Sequence, residues 1–188
     1  YENKYIKVGF SQNGEDDYIR SHFWDKLLKG YKGHYIDIGC FHESFYSNTK
    51  LLTFFGWSGV AVDASAGMYE LWRENRPDDY FLNLAIVNKN EQNQIYNQEE
   101  NTIKLFRFDD QSLNTINIEL AKERIQKGNL FLDEINVNAV GLKELAIMIK
   151  KNRPFLNPDF VNIDIEQVDY LDEMRDFLEI INMPELLC

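Results

Sequence analysis

Basic residues are in short supply. Twenty Lys and Arg stand against 31 Asp and Glu, which leaves a formal net charge of -11 and a pI near 4.7. Nucleic acids are bound by clustered cations that displace counterions, so this balance excludes a nucleic-acid partner from the expected functions. The one basic run, Lys150-Lys151-Asn152-Arg153, falls at the end of a predicted helix, where the helix dipole accounts for it. Cysteine is scarcer still. Cys40 and Cys188 are too few for a disulfide framework, lack metal-ligand spacing and read as free thiols. No apolar run approaches the roughly 18 residues of a membrane span, and no secretory leader pattern is present. The expectation is a cytoplasmic protein without a membrane span, whose acidic surface favours a neutral or cationic small ligand.

Apolar residues are plentiful. At 44% of 188 residues they suffice for the core of one domain, expected to run from 1 to 188 with an opening helical region over 1–30 and an α/β core over 31–188. The chain begins on Tyr1 and ends on Pro184-Glu185-Leu186-Leu187-Cys188, and is read as part of a larger polypeptide with other domains. Ser11 is placed to cap a first helix, with Glu15, Asp16 and Asp17 suiting its first turn and Tyr18, Ile19, Phe23, Trp24 and Leu27 forming an apolar stripe. Strands are expected at 34–39, 58–63, 80–87, 134–140 and 158–166. Helices are expected around 51–55, at 68–75, 114–127 and 142–152, and at 168–178. The polar stretch 88–101 reads as a turn or exposed hairpin. Trp57, Trp72, Tyr69 and Phe45 are expected in the core. Alternating strands and helices imply a three-layer α/β domain.

The segment HYIDIGCFHESFYSNT (34–49) reads as a buried strand stopping at Asp37-Ile38-Gly39, where glycine permits close backbone approach. A second strand, SGVAVD, ends on Asp63, 24 residues beyond Gly39. In a right-handed strand-helix-strand unit both carboxyl ends share one sheet edge, where open α/β folds bind ligands, and a carboxylate there suits a ribose diol. The loop lacks the G-x-G-x-x-G series and the Lys-Ser/Thr of a phosphate-cradling loop, which disfavours a nicotinamide-dependent oxidoreductase. Glu43, expected at the helix entrance, would also repel a pyrophosphate. A ribose-bearing ligand without phosphates fits better, and S-adenosylmethionine, a sulfonium cation, is the first candidate.

Four ordered segments resemble the FkbM-type S-adenosylmethionine-dependent methyltransferases: Ser11-Gln12-Asn13-Gly14-Glu15-Asp16, Tyr35-Ile36-Asp37-Ile38-Gly39-Cys40-Phe41-His42, Gly56-Trp57-Ser58-Gly59-Val60-Ala61-Val62-Asp63, and Asp159-Phe160-Val161-Asn162-Ile163-Asp164-Ile165-Glu166. The sequence departs from that family's pattern in reading Asp63-Ala64 for Glu-Pro and Gln167 for a glycine, and it ends before the family's last strands. The resemblance implies a Rossmann-like class I methyltransferase fold, shortened at the C-terminal end of its sheet. It also implies O-methylation of a sugar, glycan or glycolipid hydroxyl, a deoxyhexose among the candidates. A catalytically silent cofactor-binding or interaction module of a larger glycan-building protein is the alternative.

Resemblance and position together assign Asp37 and Gly39 to the methionine end of the cofactor, Asp63 to its ribose, and Asn83 with Ala85 to its adenine. Gln12 and Glu15 resemble opening-helix residues that close over it. Asp164 and Glu166 alternate on one strand and so share a face. As a carboxylate pair they suit either a general base or a divalent metal. His42, in the cofactor loop, is the other candidate base because imidazole titrates near neutrality. His22 and His34 have no such context.

Overall fold

The computed structural model describes residues 9–65, 67–88, 96–97, 99–166 and 171–188. At its centre is a five-stranded parallel sheet in the order β3-β2-β1-β8-β9, built from β1 (His34–Ile38), β2 (Ser58–Asp63), β3 (Tyr80–Asn83), β8 (Phe160–Ile163) and β9 (Leu186–Leu187). A sheet covered on both faces needs near-continuous apolar strands, and β1, β2 and β8 supply them. Ile36, Ile38, Val60, Val62 and Val161 face α6 (Leu142–Asn152) and α7 (Leu171–Ile181), while Tyr35 and Phe160 face Ile19, Phe23, Leu27 and Leu52. Those last four come from α1 (Glu15–His22), α2 (Trp24–Leu28), the residue between them and α3 (Lys50–Thr53). Met68 and Trp72 of α4 (Met68–Asn75) cover Ala61 on the same side. Helix, sheet and helix thus make the expected three layers. Each fully buried Leu, Ile or Phe contributes about 1.5–3 kcal/mol to them.

The expected strand over 80–87 is two strands. At Leu84, whose N–H donates to the Asp63 carbonyl at 3.0 Å, the chain leaves the parallel sheet and continues as β4 (Ala85–Ile86). It then pairs in parallel with β7 (Phe131–Val140). β7 pairs antiparallel with β6 (Thr102–Phe108), and β6 with β5 (Tyr96–Asn97), so β4, β7, β6 and β5 form a second sheet. The expected hairpin over 88–101 is described only at its end, since 89–95 and 98 lie outside the described residues. The expected helix over 114–127 begins later. A 3-10 turn (Gln111–Leu113) precedes α5 (Ile118–Gln126), and Asn117 caps α5 by accepting from Glu119 and Leu120. Residues 167–170, including Gln167, also lie outside the described residues.

Three expectations about side chains need correction. Of the first apolar stripe only Ile19, Phe23 and Leu27 are buried, while Tyr18 and Trp24 face solvent because the helix turns at Phe23. Trp57 and Trp72 are core residues, but Phe45 and Tyr69 are exposed. Ser11 does not occupy the cap position. Gly14 does, with φ 97°, and the Ser11 hydroxyl accepts from the Gly14 and Asp16 N–H groups at 3.0 and 3.2 Å from outside the helix.

Candidate functional site

A cavity of about 650 Å³ lies at the carboxyl ends of β1, β2, β4 and β8. This is the volume expected of a small-molecule site, about 300–1,000 Å³, at the edge where open parallel sheets bind ligands. Gln12, Glu15, Gly39, Asp63, Ala85, Asp164 and Glu166 all line it. Asp37, Asn83 and His42 do not.

Gly39 has φ 78°, and a Cβ there would fall 1.9 Å from the Asp164 carbonyl oxygen. Only glycine allows β1 and β8 to end this close together, so the close approach is first of all between strands. Asp63 is fixed from both sides. Its Oδ2 accepts the Phe41 N–H at 2.8 Å and its Oδ1 the Ser65 N–H at 2.7 Å. Burial still pushes its carboxyl above the usual range. A carboxylate oxygen can accept more than one hydrogen bond, and Asp63 lines the cavity. Asn83 braces this arrangement by donating to the Asp63 carbonyl at 2.8 Å; it supports the strand end without reaching the cavity. Glu15 accepts from the Asn13 backbone and side chain at 2.9 and 3.0 Å. Burial opposes ionisation of Glu15, but these hydrogen bonds, with others from its own N–H and Ser11, hold its carboxyl below the ordinary value.

Asp164 and Glu166 share the cavity but not their chemistry. Glu166 is engaged: Thr115 Oγ1 donates to it at 2.6 Å, and Arg124 forms a short ion pair with it while also donating to the Leu113 carbonyl at 2.7 Å. These bonds strap residues 111–117 across the cavity. Asp164 has no side-chain hydrogen-bond partner among the described residues. Partial burial, reinforced by the charges of Glu166 and then Glu15, pushes its carboxyl up. Among the described residues no group of three or more His, Cys, Asp or Glu gathers to hold a metal ion.

Asp37 lies beneath the cavity floor. It is fully buried, accepts from Thr49 Oγ1 at 2.7 Å and from Asn162 Nδ2 at 2.9 Å, and burial raises its pKa. Its effect on the site passes through Asn162, whose Oδ1 accepts from the cavity residue Asn48 at 3.1 Å. His42 turns away: its Nδ1 accepts the N–H groups of Ser44 and Phe45 at 3.1 and 3.2 Å, closing a local turn. Glu43 does not guard a helix entrance either, since it is buried against Lys50 at 3.1 Å and does not line the cavity. The acidity opposing a phosphate comes instead from Glu15, Asp63 and Asp164.

Sequence reasoning missed the residue that organises the loop. Arg76 is buried, stacks over the Trp72 ring at 4.1 Å and donates to Asp79 at 2.6 Å. It also donates to the Glu43 carbonyl at 3.2 Å, Ser47 Oγ at 3.3 Å and Thr49 Oγ1 at 2.9 Å, and makes a short bond to the Tyr35 hydroxyl. Tyr35 donates to Asp79 at 2.7 Å. The available clue was Arg76-Pro77-Asp78-Asp79, an ion pair at turn spacing after a helix, which also suits a solvated surface. Family models, curated proteins and solved structures were all compared with this chain, and none matches it at a significant level.

Proposed function

We propose that the chain is an FkbM-type, Rossmann-like S-adenosylmethionine-dependent O-methyltransferase acting on a sugar, glycan or glycolipid hydroxyl. The observation that carries this reading is the row of cavity-lining groups where β8, β1 and β2 of the parallel sheet end, Asp164, Gly39 and Asp63, continued by Ala85 of β4 where the chain passes into the second sheet. Two strand spacings of about 4.8 Å separate Asp164 from Asp63, about 10 Å, and the lining continues to Leu84 and Ala85, which accommodates an extended nucleoside with an amino-acid tail. The residues also fit the cofactor's chemistry. Asp63 offers lone pairs to a ribose diol, Leu84, Ala85 and Leu105 offer an apolar wall to adenine, and Gln12, Glu15 and Gly39 border the other end. An acidic cavity suits a sulfonium and disfavours a pyrophosphate.

S-adenosylmethionine, when bound, supplies an electrophilic methyl group. Asp164 is the group suited to take the proton from an acceptor hydroxyl, because it lines the cavity, has no side-chain hydrogen-bond partner among the described residues and is raised above the ordinary aspartate value. Glu166 positions the covering segment through Thr115 and Arg124. Asp37 is a positioning residue under Asn162. The catalytically silent module is the second reading, supported by the engagement of Glu166, which leaves a single candidate base in the cavity. Calorimetric titration with S-adenosylhomocysteine and with NAD tests the cofactor. Binding of the first and not the second is expected; the reverse would overturn the proposal. Cofactor binding without methyl transfer to any neutral glycan would favour the silent module.

A further inference from the structure

The loop between Gly39 and α3 holds two aromatic residues in a backbone conformation that aromatic residues avoid. Phe41 has φ 48° and Tyr46 φ 57°. The other described non-glycine residues at positive φ are Asn101 and Asn182, the residue type that tolerates it. Both aromatics line the cavity. Strained conformations persist where the surroundings over-determine them, and such places cluster at ligand sites. The surroundings here do so. Asp63 fixes the Phe41 N–H at 2.8 Å, Trp72 donates to the Phe41 carbonyl at 3.3 Å, and Arg76 grips the Glu43 carbonyl and Ser47 Oγ.

Packing does not account for Tyr46. Its side chain is 53% exposed and belongs to none of the buried clusters, and its hydroxyl has no partner among the described residues. We propose that Tyr46 is a stacking face for an uncharged pyranose ring, held in place by the loop that Phe41 anchors on Cys40, Ala61, Met68 and Trp72, so that the acceptor is a neutral sugar rather than a phosphorylated or nucleotide-linked one. The electron-rich face of an aromatic ring attracts the polarised C–H bonds on one face of a pyranose. Sugar hydroxyls then meet Asn48, Glu15 and Asp164 in the same cavity. Charge supplies the second half of the inference. Among the described residues four carboxylates line the cavity, and the one cation lining it, Arg124, is held by Glu166 and the Leu113 carbonyl. A phosphate would face this field without a free partner.

The inference rests on the methyltransferase reading for the role of Asp164, and the experiment separates the two. Saturation-transfer NMR on the full chain uses methyl α-L-rhamnopyranoside, methyl β-D-glucopyranoside and UDP-glucose as probes, with and without S-adenosylhomocysteine. Ring protons of a neutral glycoside should receive saturation and UDP-glucose should not displace it. Tyr46→Gly should weaken glycoside binding about tenfold or more while the melting temperature stays within about 3 °C, since glycine accepts this φ without strain. Tyr46→Phe should bind like wild type. Glycoside binding undiminished in Tyr46→Gly, tighter binding of UDP-glucose, or no binding of either glycoside would overturn the stacking face. Glycoside binding that depends on Tyr46 in a chain that ignores S-adenosylhomocysteine would keep the stacking face and remove the cofactor.

Discussion

Asp63 and Asp164 end the strands on either side of β1 and differ in what they already hold. Asp63 carries two backbone N–H groups, so Asp63→Ala acts twice. It should cost about 1–3 kcal/mol of stability by stranding those donors and should weaken S-adenosylhomocysteine about 10- to 100-fold by removing a ribose partner. Chemical denaturation and calorimetry on one sample read both effects, and unchanged affinity would remove Asp63 from the ribose. Asp164 has no side-chain hydrogen-bond partner among the described residues, so Asp164→Asn should leave fold and cofactor affinity intact and lower methyl transfer about 100- to 10,000-fold. Because its folded pKa is raised in the unliganded chain, the acid limb of wild-type kcat/KM should lie above the ordinary aspartate value of about 3.9. An acid limb at or below that value would exclude Asp164 as the base. At this scale the sequence carries residue type and position on a strand but not exposure. Asp37, with the same strand-end look as Asp63, faces inward because Tyr35 and Asp37 share the face covered by α1–α4, where Thr49 and Asn162 satisfy it. His42 sits in the right loop with its ring nitrogen committed to that loop's own backbone.

Between strand ends and helices, the two segments that shape the cavity hang on polar anchors. The 39–49 loop hangs on Arg76, and Arg76→Met should destabilise the chain by about 3–5 kcal/mol because it leaves the buried Asp79 without its countercharge, held then by Tyr35 and the Gly59 N–H. The double variant with Asp79→Asn should recover part of that loss in a denaturation experiment; strict additivity would mean the pair is not coupled. The 111–117 segment hangs on Glu166, and Glu166→Gln should lower cofactor affinity with the fold retained. β1, β2 and β8 are legible in sequence because each is an apolar run ending in polar residues. β6 is not: TIKLFRF mixes apolar residues with Lys104 and Arg107, whose partners Glu134 and Asp133 lie on β7, 30 and 26 residues away. The break at Leu84 escapes for a related reason, since an apolar run carries no mark of which sheet each half will join.

For the molecule as a whole, charge and buried carboxyls pull stability in one direction with pH. Burial raises Asp37, Asp63 and Asp164, so the folded chain holds protons more tightly than the unfolded chain. Their contribution is present below the ordinary carboxylate pKa and is lost as pH rises through the raised values. Glu15 and Glu43, held down by hydrogen bonds against the effect of burial, act in the opposite sense. The net charge of -11 adds self-repulsion that grows as the last carboxyls ionise. The melting temperature should therefore decline with rising pH above the ordinary carboxylate range of about 4, and a scan that rises steadily from there to neutrality would refute this balance. The layered architecture itself was legible from the alternation of elements, while the cavity, closed by segments far apart in sequence, was not. Its occupant is the central question, and a crystal structure of the chain with S-adenosylhomocysteine answers it most directly. The ribose should lie on Asp63, adenine against Leu84 and Ala85, and the sulfur toward Asp164; density elsewhere on the molecule, or ribose away from Asp63, would contradict the assignment.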